Sequence, residues 1–318
     1  MRRFTVRHVT VYHYSEPVGL GEHRIMLRPR ASHDLRLIGT SLAIAPEPKG
    51  LHWVHDVFDN SIAVATFSGQ TSELRFESVV TLEHLEAAVP EYRLEPKAQT
   101  YPFDYSRDER AHLAPGLKRR YPTEDVRQWA TRFLVACGPT DTISLLRSMT
   151  VGINQQFDYR RRVERGVQTP SETLQRGHGS CRDFAVLMME GVRALGFAAR
   201  FVSGYIFLPE ADPNLAAGRG STHAWLQVYL PGMGWVDFDP TNNIIGNRNL
   251  IRVAVGWERA QVLPLWGTFI GRKGAFLSME VAVNVLDETP SSASSTQASQ
   301  QQFQEFRSTD PALAGLGQ

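Results

Sequence analysis

The sequence predicts an α+β protein, with an N-terminal β-sandwich followed by a core in which helices pack on an antiparallel sheet. Three observations point there. Apolar and polar residues alternate over 5–14 and again in runs up to residue 84, the period of a half-buried strand. Between 123 and 195 the apolar residues recur three to four apart, the period of a helix face. Alternation then returns at 223–229 and 235–241, on either side of Pro231-Gly232-Met233-Gly234, which reads as a hairpin.

In chain order, the first strand is Thr5-Val6-Arg7-His8-Val9-Thr10-Val11-Tyr12-His13-Tyr14, and Ser15-Glu16-Pro17 is expected to end it. Strand-like runs follow at 35–45, 51–56, 62–67 and 73–84, separated by Pro, Gly or Asp-Asn, and residues 1–91 are assigned to the sandwich. His8, His13, His23 and His33 lack metal-ligand spacing and read as strand-face or surface residues, so no metal or other cofactor is expected. Residues 92–122, with Pro96, Pro102 and Pro115, read as a polar connector over the surface. Two helices are expected next, over 123–136 with Val126, Trp129, Phe133 and Leu134 inward, and over 141–156 with Ile143, Leu146, Met149 and Ile153 inward. Arg160-Arg161-Arg162 reads as a solvated loop, with substrate contact as the alternative. A short helix starts at Pro170.

The core, 123–286, turns on Gly177-His178-Gly179-Ser180-Cys181-Arg182-Asp183. Ser180 with Asp183 three residues on is a capping box, so Cys181 falls at the first helical position. Phe184, Leu187, Met188, Val192 and Leu195 then form the buried face. A thiol there sits among free backbone N–H groups at the positive end of the helix dipole, which favours thiolate, and the glycines let backbone approach a substrate. A nucleophile needs a base and the base an orienter. His223 opens the first hairpin strand, and Asp239 ends the second, with Asp237 competing because alternation sets both on one face. His223 and Asp239 share that face only if paired residue numbers add to an even sum, as with Trp225 opposite Asp239. A four-residue loop gives an odd sum, so an odd-length loop or a bulge is expected.

These motifs resemble the catalytic core of the transglutaminase-like superfamily, a papain-like arrangement. The matching residues are Gly177, Gly179, Cys181 and Asp183, then Ser203-Gly204-Tyr205, His223-Ala224-Trp225, Gly234-Trp235 and Asp239-Pro240-Thr241. Val9 to Tyr14 and Met26-Leu27-Arg28-Pro29-Arg30 resemble the N-terminal region of its bacterial members. The resemblance implies a Cys181, His223, Asp239 triad, with Asp239 in the family's Asp-Pro-Thr context and Asp237 where a smaller residue is often found. It implies a cysteine-dependent acyl-transfer enzyme acting on peptide or isopeptide amides through a thioester, a protease or amidase first. A cross-linking or deamidating protein-glutamine gamma-glutamyltransferase is the alternative, and a peptide-binding scaffold the non-enzymatic one. Gln155, Gln156 and Gln175 are candidates for a second oxyanion donor beside the Cys181 N–H.

A strand is expected over 197–208, and residues 209–221 form a loop that serves either as a lid or as a plain connector. The runs 251–263 and 275–286 are expected to close the core sheet, and 287–318, rich in Ser, Gln, Ala and Gly, to be a disordered tail. A net charge of +1 gives no support to a nucleic-acid or membrane role. No acidic calcium loop or phosphate-binding glycine motif is present. Two cysteines are too few for a disulfide framework; Cys137 reads as an inert core or cap residue. With no long apolar stretch after Arg2 and Arg3, a cytoplasmic protein is expected, acting on a peptide or protein substrate, its oligomeric state left open.

Overall fold

The computed structural model describes residues 1–85, 93–161, 166–208, 222–289 and 307–308. Strand β1 (Arg2–Arg28) is the spine of an eight-stranded antiparallel sheet. Its first half pairs with β5 (Gln70–His84) on one side and β16 (Phe276–Asp287) on the other; its second half pairs with β4 (Ser61–Thr66) and β15 (Leu265–Ile270). Strand β2 (Leu35–Ala45) adds to β5, β3 (Gly50–His55) to β4, and β17 (Arg307–Ser308) to β16. Pro17, expected to end the first strand, marks instead a change of partners. The register with β5 shifts between His13 and Val18, because proline has no N–H for the ladder, while the chain stays extended. The sandwich is therefore one sheet curled on itself, closed around Tyr14, Val18, Ile25, Leu74, Phe76 and Phe276.

The run at 275–286 was expected in the core sheet and is found in this one. The edge of β1 opposite β5 presents unpaired backbone from Phe4 to Tyr14, and β16 satisfies it along that length. The connector also differs from expectation, since it carries α1 (Arg107–Leu117). Ser106 and Glu109 form a capping box at its start, and Pro115 sits in the last turn, where the helix is already ending.

The second sheet has five strands in the order β13 (Ile244–Ile245), β12 (Gly234–Asp239), β11 (His223–Leu230), β10 (Ala199–Ile206), β14 (Leu250–Gly256). Helices α2 (Glu124–Thr131), α3 (Thr142–Gln156), α4 (Pro170–Arg176) and α5 (Cys181–Ala194) pack beside it. Helix α2 is shorter than expected, and Cys137 lies beyond it as an exposed free thiol rather than a core or cap residue. Alternation sorts β11 in two. Ala224, Leu226, Val228 and Leu230 join Phe184, Leu187, Met188 and Val192 of α5, and each such large side chain contributes about 1.5–3 kcal/mol by leaving water. Trp225 faces the other way, into a cluster with Val202, Ile206 and Leu250.

The curled sheet docks on β10 and β14 through specific polar bonds. Asn60 Nδ2 donates to the Val255 carbonyl at 2.7 Å, and the Val255 N–H donates back to Asn60 Oδ1 at 2.9 Å. His84 Nε2 donates to the Leu250 carbonyl at 3.0 Å, and His8 Nδ1 pairs with the Tyr205 hydroxyl at 3.0 Å. Among the described residues no helix is long and apolar enough to cross a membrane. The loop 209–221 and most of the expected tail lie outside the described residues.

Candidate active site

Helix α4 ends at Gly177, whose φ of 66° is the left-handed turn that glycine adopts without strain. The chain then forms a short strand, β9 (His178–Gly179), parallel to β8 (Asp158–Tyr159). A Cβ on Gly179 would stand 2.9 Å from Asp183 Cβ and 3.2 Å from the Phe184 ring. The close approach this glycine permits is thus to the helix itself. Asp183 is fully buried, and its Oδ2 accepts from both the backbone N–H and the hydroxyl of Ser180 at 2.8 Å, while Oδ1 accepts from the Gln168 N–H at 2.7 Å. That brace fixes Ser180 as the cap and Cys181 as the first residue of α5, as the motif predicts.

The hairpin has the register that the shared face demands. Leu226 stands opposite Phe238, and the last pair, Leu230 with Gly234, leaves Pro231, Gly232 and Met233 as an odd-length loop. One step beyond Leu226 and Phe238, this register sets Trp225 against Asp239, with His223 on the diagonal. His223 Nε2 donates to Asp239 Oδ2 at 2.8 Å, with both side chains out of solvent. Asp239 is held from two more sides: its Oδ1 accepts from the Thr241 N–H at 2.9 Å, and its Oδ2 from Asn242 Nδ2 at 2.9 Å.

Asp237, the competing carboxylate, does a different job. It accepts from Trp225 Nε1 at 2.6 Å and lies 3.9 Å from Arg252. The Trp225 ring stacks on His223 at 5.9 Å and 25°. Asp237 is buried, because it terminates the indole that covers the imidazole.

Cys181 is 8% exposed, and its ionisation is acted on by His223, the same ring that Asp239 holds. The second imidazole nitrogen, Nδ1, is buried and makes no hydrogen bond to a described residue, while the Cys181 thiol acts on the ring's ionisation. Burial alone would raise the Cys181 pKa. The His223 hydrogen bond and charge outweigh it, helped by Arg182 and the Ala224 backbone N–H, and the thiol titrates below its ordinary range. Burial likewise would lower the His223 pKa, but the Asp239 charge and hydrogen bond, with Cys181, push it up to about 10. Asp239 is also desolvated, and the facing imidazolium keeps its carboxyl below the usual range. The two shifts together favour a thiolate beside an imidazolium. The arrangement can supply a nucleophile and a proton together.

Of the candidate oxyanion donors, Gln155 is exposed. Gln156 and Gln175 line a cleft of about 470 Å³ with Asp125, Trp129 and Arg132, to which neither Cys181 nor His223 contributes. Tyr159 was missed. Its β8 position opposite Gly179 brings it beside the thiol, and its pKa rises, first through burial and then through the Cys181 charge. Arg160 and Arg161 are exposed, as the solvated-loop reading expects, and Arg161 is within electrostatic reach of Tyr159 and Cys181; Arg162 lies outside the described residues. Asn242 was missed as well. The Asx-type return from Thr241 to Asp239 was legible in Asp-Pro-Thr, whereas the reach of Asn242 was not.

Residues 4–83 match the bacterial transglutaminase-like N-terminal region, and residues 129–240, which include Cys181, His223 and Asp239, match the transglutaminase-like superfamily. Uncharacterized proteins of Mycobacterium tuberculosis and Mycobacterium bovis are 30% identical over 283 residues, covering 83% of this chain and 87% of each relative. A protein-glutamine gamma-glutamyltransferase of Pseudomonas aeruginosa is 35% identical over 72 residues, 22% of this chain and 11% of that protein. The solved structure of a candidate cysteine protease from Cytophaga hutchinsonii shares the fold, with TM-score 0.67, 17% identity, and coverage of 95% of this chain and 98% of that one.

Proposed function

The chain belongs to the transglutaminase-like superfamily, and from that premise we propose that it is a cysteine-dependent hydrolase of peptide or isopeptide amides, with Cys181 as nucleophile, His223 as acid and base, and Asp239 as orienter. The observation that carries the reading is the buried His223, held charged between Asp239 at 2.8 Å and the Cys181 thiol. The Cys181 thiolate attacks the amide carbonyl carbon, and the negative charge passes to the carbonyl oxygen. The N-terminal N–H groups of α5 face that oxyanion, with the Tyr159 hydroxyl as the second donor. His223 gives its proton to the departing nitrogen as the C–N bond breaks, leaving an acyl thioester and neutral imidazole. Water then loses a proton to His223 and attacks the thioester; the acid leaves and the thiolate returns. Asp239 keeps the imidazole turned with Nδ1 to the sulfur and stabilises its charged form.

A second reading has its own support in the 72-residue match to a protein-glutamine gamma-glutamyltransferase: an amine rather than water resolves the thioester. The reading sets the enzyme in the cytoplasm, where its two free cysteines, one of them exposed, stay reduced.

The test is an assay of the purified protein with casein and a fluorescent primary amine, beside Cys181→Ala. New peptide termini that disappear in the variant, a loss on the order of 10⁴-fold or more, support the hydrolase. Amine incorporation without cleavage gives the reaction to the transamidase. Neither activity, together with iodoacetamide labelling of Cys181 at pH 6 no faster than a free thiol, overturns the enzymatic reading in favour of a peptide-binding scaffold.

A further inference from the structure

Both oxygens of Asp239 are occupied by donors. Oδ1 accepts from the Thr241 N–H at 2.9 Å. Oδ2 accepts twice, from His223 Nε2 at 2.8 Å and from Asn242 Nδ2 at 2.9 Å, and the two nitrogens stand 3.4 Å apart around it. Asn242 is 5% exposed, and helix α3 ties down the turn that carries it, since Asn154 Nδ2 donates to the Thr241 carbonyl at 2.8 Å. The amide is oriented by the carboxylate, because its oxygen in place of Nδ2 would meet a second acceptor. This bond answers a difficulty of buried ion pairs. Away from water, the proton between an imidazolium and a carboxylate can cross from Nε2 to Oδ2 and leave two neutral groups. Burial pushes the Asp239 carboxyl toward taking that proton; the His223 charge and hydrogen bond oppose it, and Asn242 and the Thr241 N–H add to the opposition. A donor on Oδ2 binds the carboxylate more strongly than the carboxylic acid, so it penalises the crossing.

We propose that Asn242 is a positioning residue of the triad: it keeps the shared proton on His223 Nε2, and so keeps the imidazole charged beside the Cys181 thiol. If the proton crosses, the Nε2–H bond breaks, an O–H bond forms on Asp239, and the ring is left neutral with its other proton on Nδ1. That ring no longer stabilises a thiolate by its charge, and a neutral imidazole is a far weaker acid for the departing nitrogen. Asn242 acts through Asp239 and His223 rather than on the substrate. The effect on rate rests on the hydrolase reading; the place of the proton does not.

The experiment compares Asn242→Leu, which fills the space without a donor, with Asn242→Ala, which leaves room for a water that can donate to Oδ2. Both are made in the full chain, and iodoacetamide labelling at Cys181 is followed by peptide mass across pH 4 to 9. Asn242→Leu should move the labelling midpoint up by about one pH unit and slow casein cleavage about tenfold, the size of one charge-assisted hydrogen bond. Asn242→Ala should fall between Asn242→Leu and the wild type. A packing role gives the reverse order, because the smaller side chain leaves the larger cavity. Nitrogen NMR of the histidine rings, with His223→Gln locating the His223 signals, should show both ring nitrogens protonated at pH 7 in the wild type. In Asn242→Leu, Nε2 should lose its proton. A labelling profile of Asn242→Leu that superposes on the wild type, an Asn242→Ala variant as impaired as Asn242→Leu, or an Nε2 still protonated in Asn242→Leu would overturn the assignment. A wild type that cleaves nothing, while the labelling and NMR differences are present, counts against the hydrolase alone.

Discussion

His8 in the curled sheet and His223 in the core are both 1% exposed, yet burial leaves one neutral and the other protonated. Among the described residues the His8 ring hydrogen-bonds to neutral partners, the Tyr205 hydroxyl at 3.0 Å and the Thr10 hydroxyl at 2.9 Å, and burial takes its pKa down to about 4. Burial acts the same way on His223, but Asp239 and Cys181 reverse it and take the pKa up to about 10. Desolvation is common to the two sites, so the difference is made by one buried carboxylate and one thiolate. The sheet uses its histidine as a neutral tie between layers, and the core uses its own as a stored proton.

Converting the second case into the first gives the largest effect. Asp239→Asn keeps the shape and removes the charge, so the His223 pKa should fall from about 10 to below its ordinary value of 6.5. The Cys181 thiol then loses its cationic neighbour, and the pH midpoint of its iodoacetamide labelling should move up. Amide cleavage should drop by about 10⁴-fold, the loss that follows when a triad carboxylate becomes an amide. A labelling profile that superposes on the wild type would mean that Asp239 does not set the charge of His223.

The same contrast explains what was legible in the sequence. Cys181 at the first turn of α5 follows from Ser180 and Asp183, four contiguous residues, and the hairpin register follows from requiring His223 and Asp239 on one face. Both are local arguments. The α1 helix had an equally local signal in Ser106 and Glu109, but Pro96, Pro102 and Pro115 weighed against it, and a proline in a last turn costs little. The partner of β16 was not legible, because alternation at 276–287 fits an edge of either sheet, and only the open side of β1 decides between them. Tyr159 and Asn242 reach the site across pairings and turns that no spacing encodes. The fold class and the placing of Cys181 and His223 could be read from short-range chemistry, and the choice of Asp239 over Asp237 from the family resemblance; the surroundings that tune them depend on which strand meets which.

A smaller effect separates the histidines by stability. For His8 the folded pKa lies below the unfolded one, so as pH falls through 6.5 the unfolded chain takes up a proton that the folded chain refuses. Stability is lost from about pH 6.5 down to about 4 and then levels, a cost of about 3 kcal/mol from this group. For His223 the folded pKa is raised, so its contribution is complete below pH 6.5 and is lost as pH rises through about 10. Chemical denaturation of the wild type and His8→Gln across pH 4 to 9 should give curves that converge or cross on the acid side, with the variant flatter between 6.5 and 4. Parallel curves would mean that His8 is not held neutral.

The smallest effect comes from the second carboxylate of the hairpin. Asp237 is two residues from Asp239 on the same face, but its contact is with the Trp225 indole rather than the imidazole. Asp237→Asn keeps an oxygen to accept from Nε1, so the stack of Trp225 on His223 should hold. The variant also removes a buried charge whose pKa burial already raises, with Arg252 only a distant partner at 3.9 Å. Stability should therefore stay within about 1 kcal/mol of the wild type, the net scale of one hydrogen bond. The cleavage rate should change less than about threefold, under 0.7 kcal/mol of barrier. Asp237→Ala, which leaves the indole N–H without its acceptor, should lower the rate further, on the order of tenfold, by loosening the imidazole's cover. If Asp237→Asn instead matched Asp239→Asn in rate and in the thiol's labelling profile, the charge on His223 would be set by both carboxylates, and the indole would be a bystander.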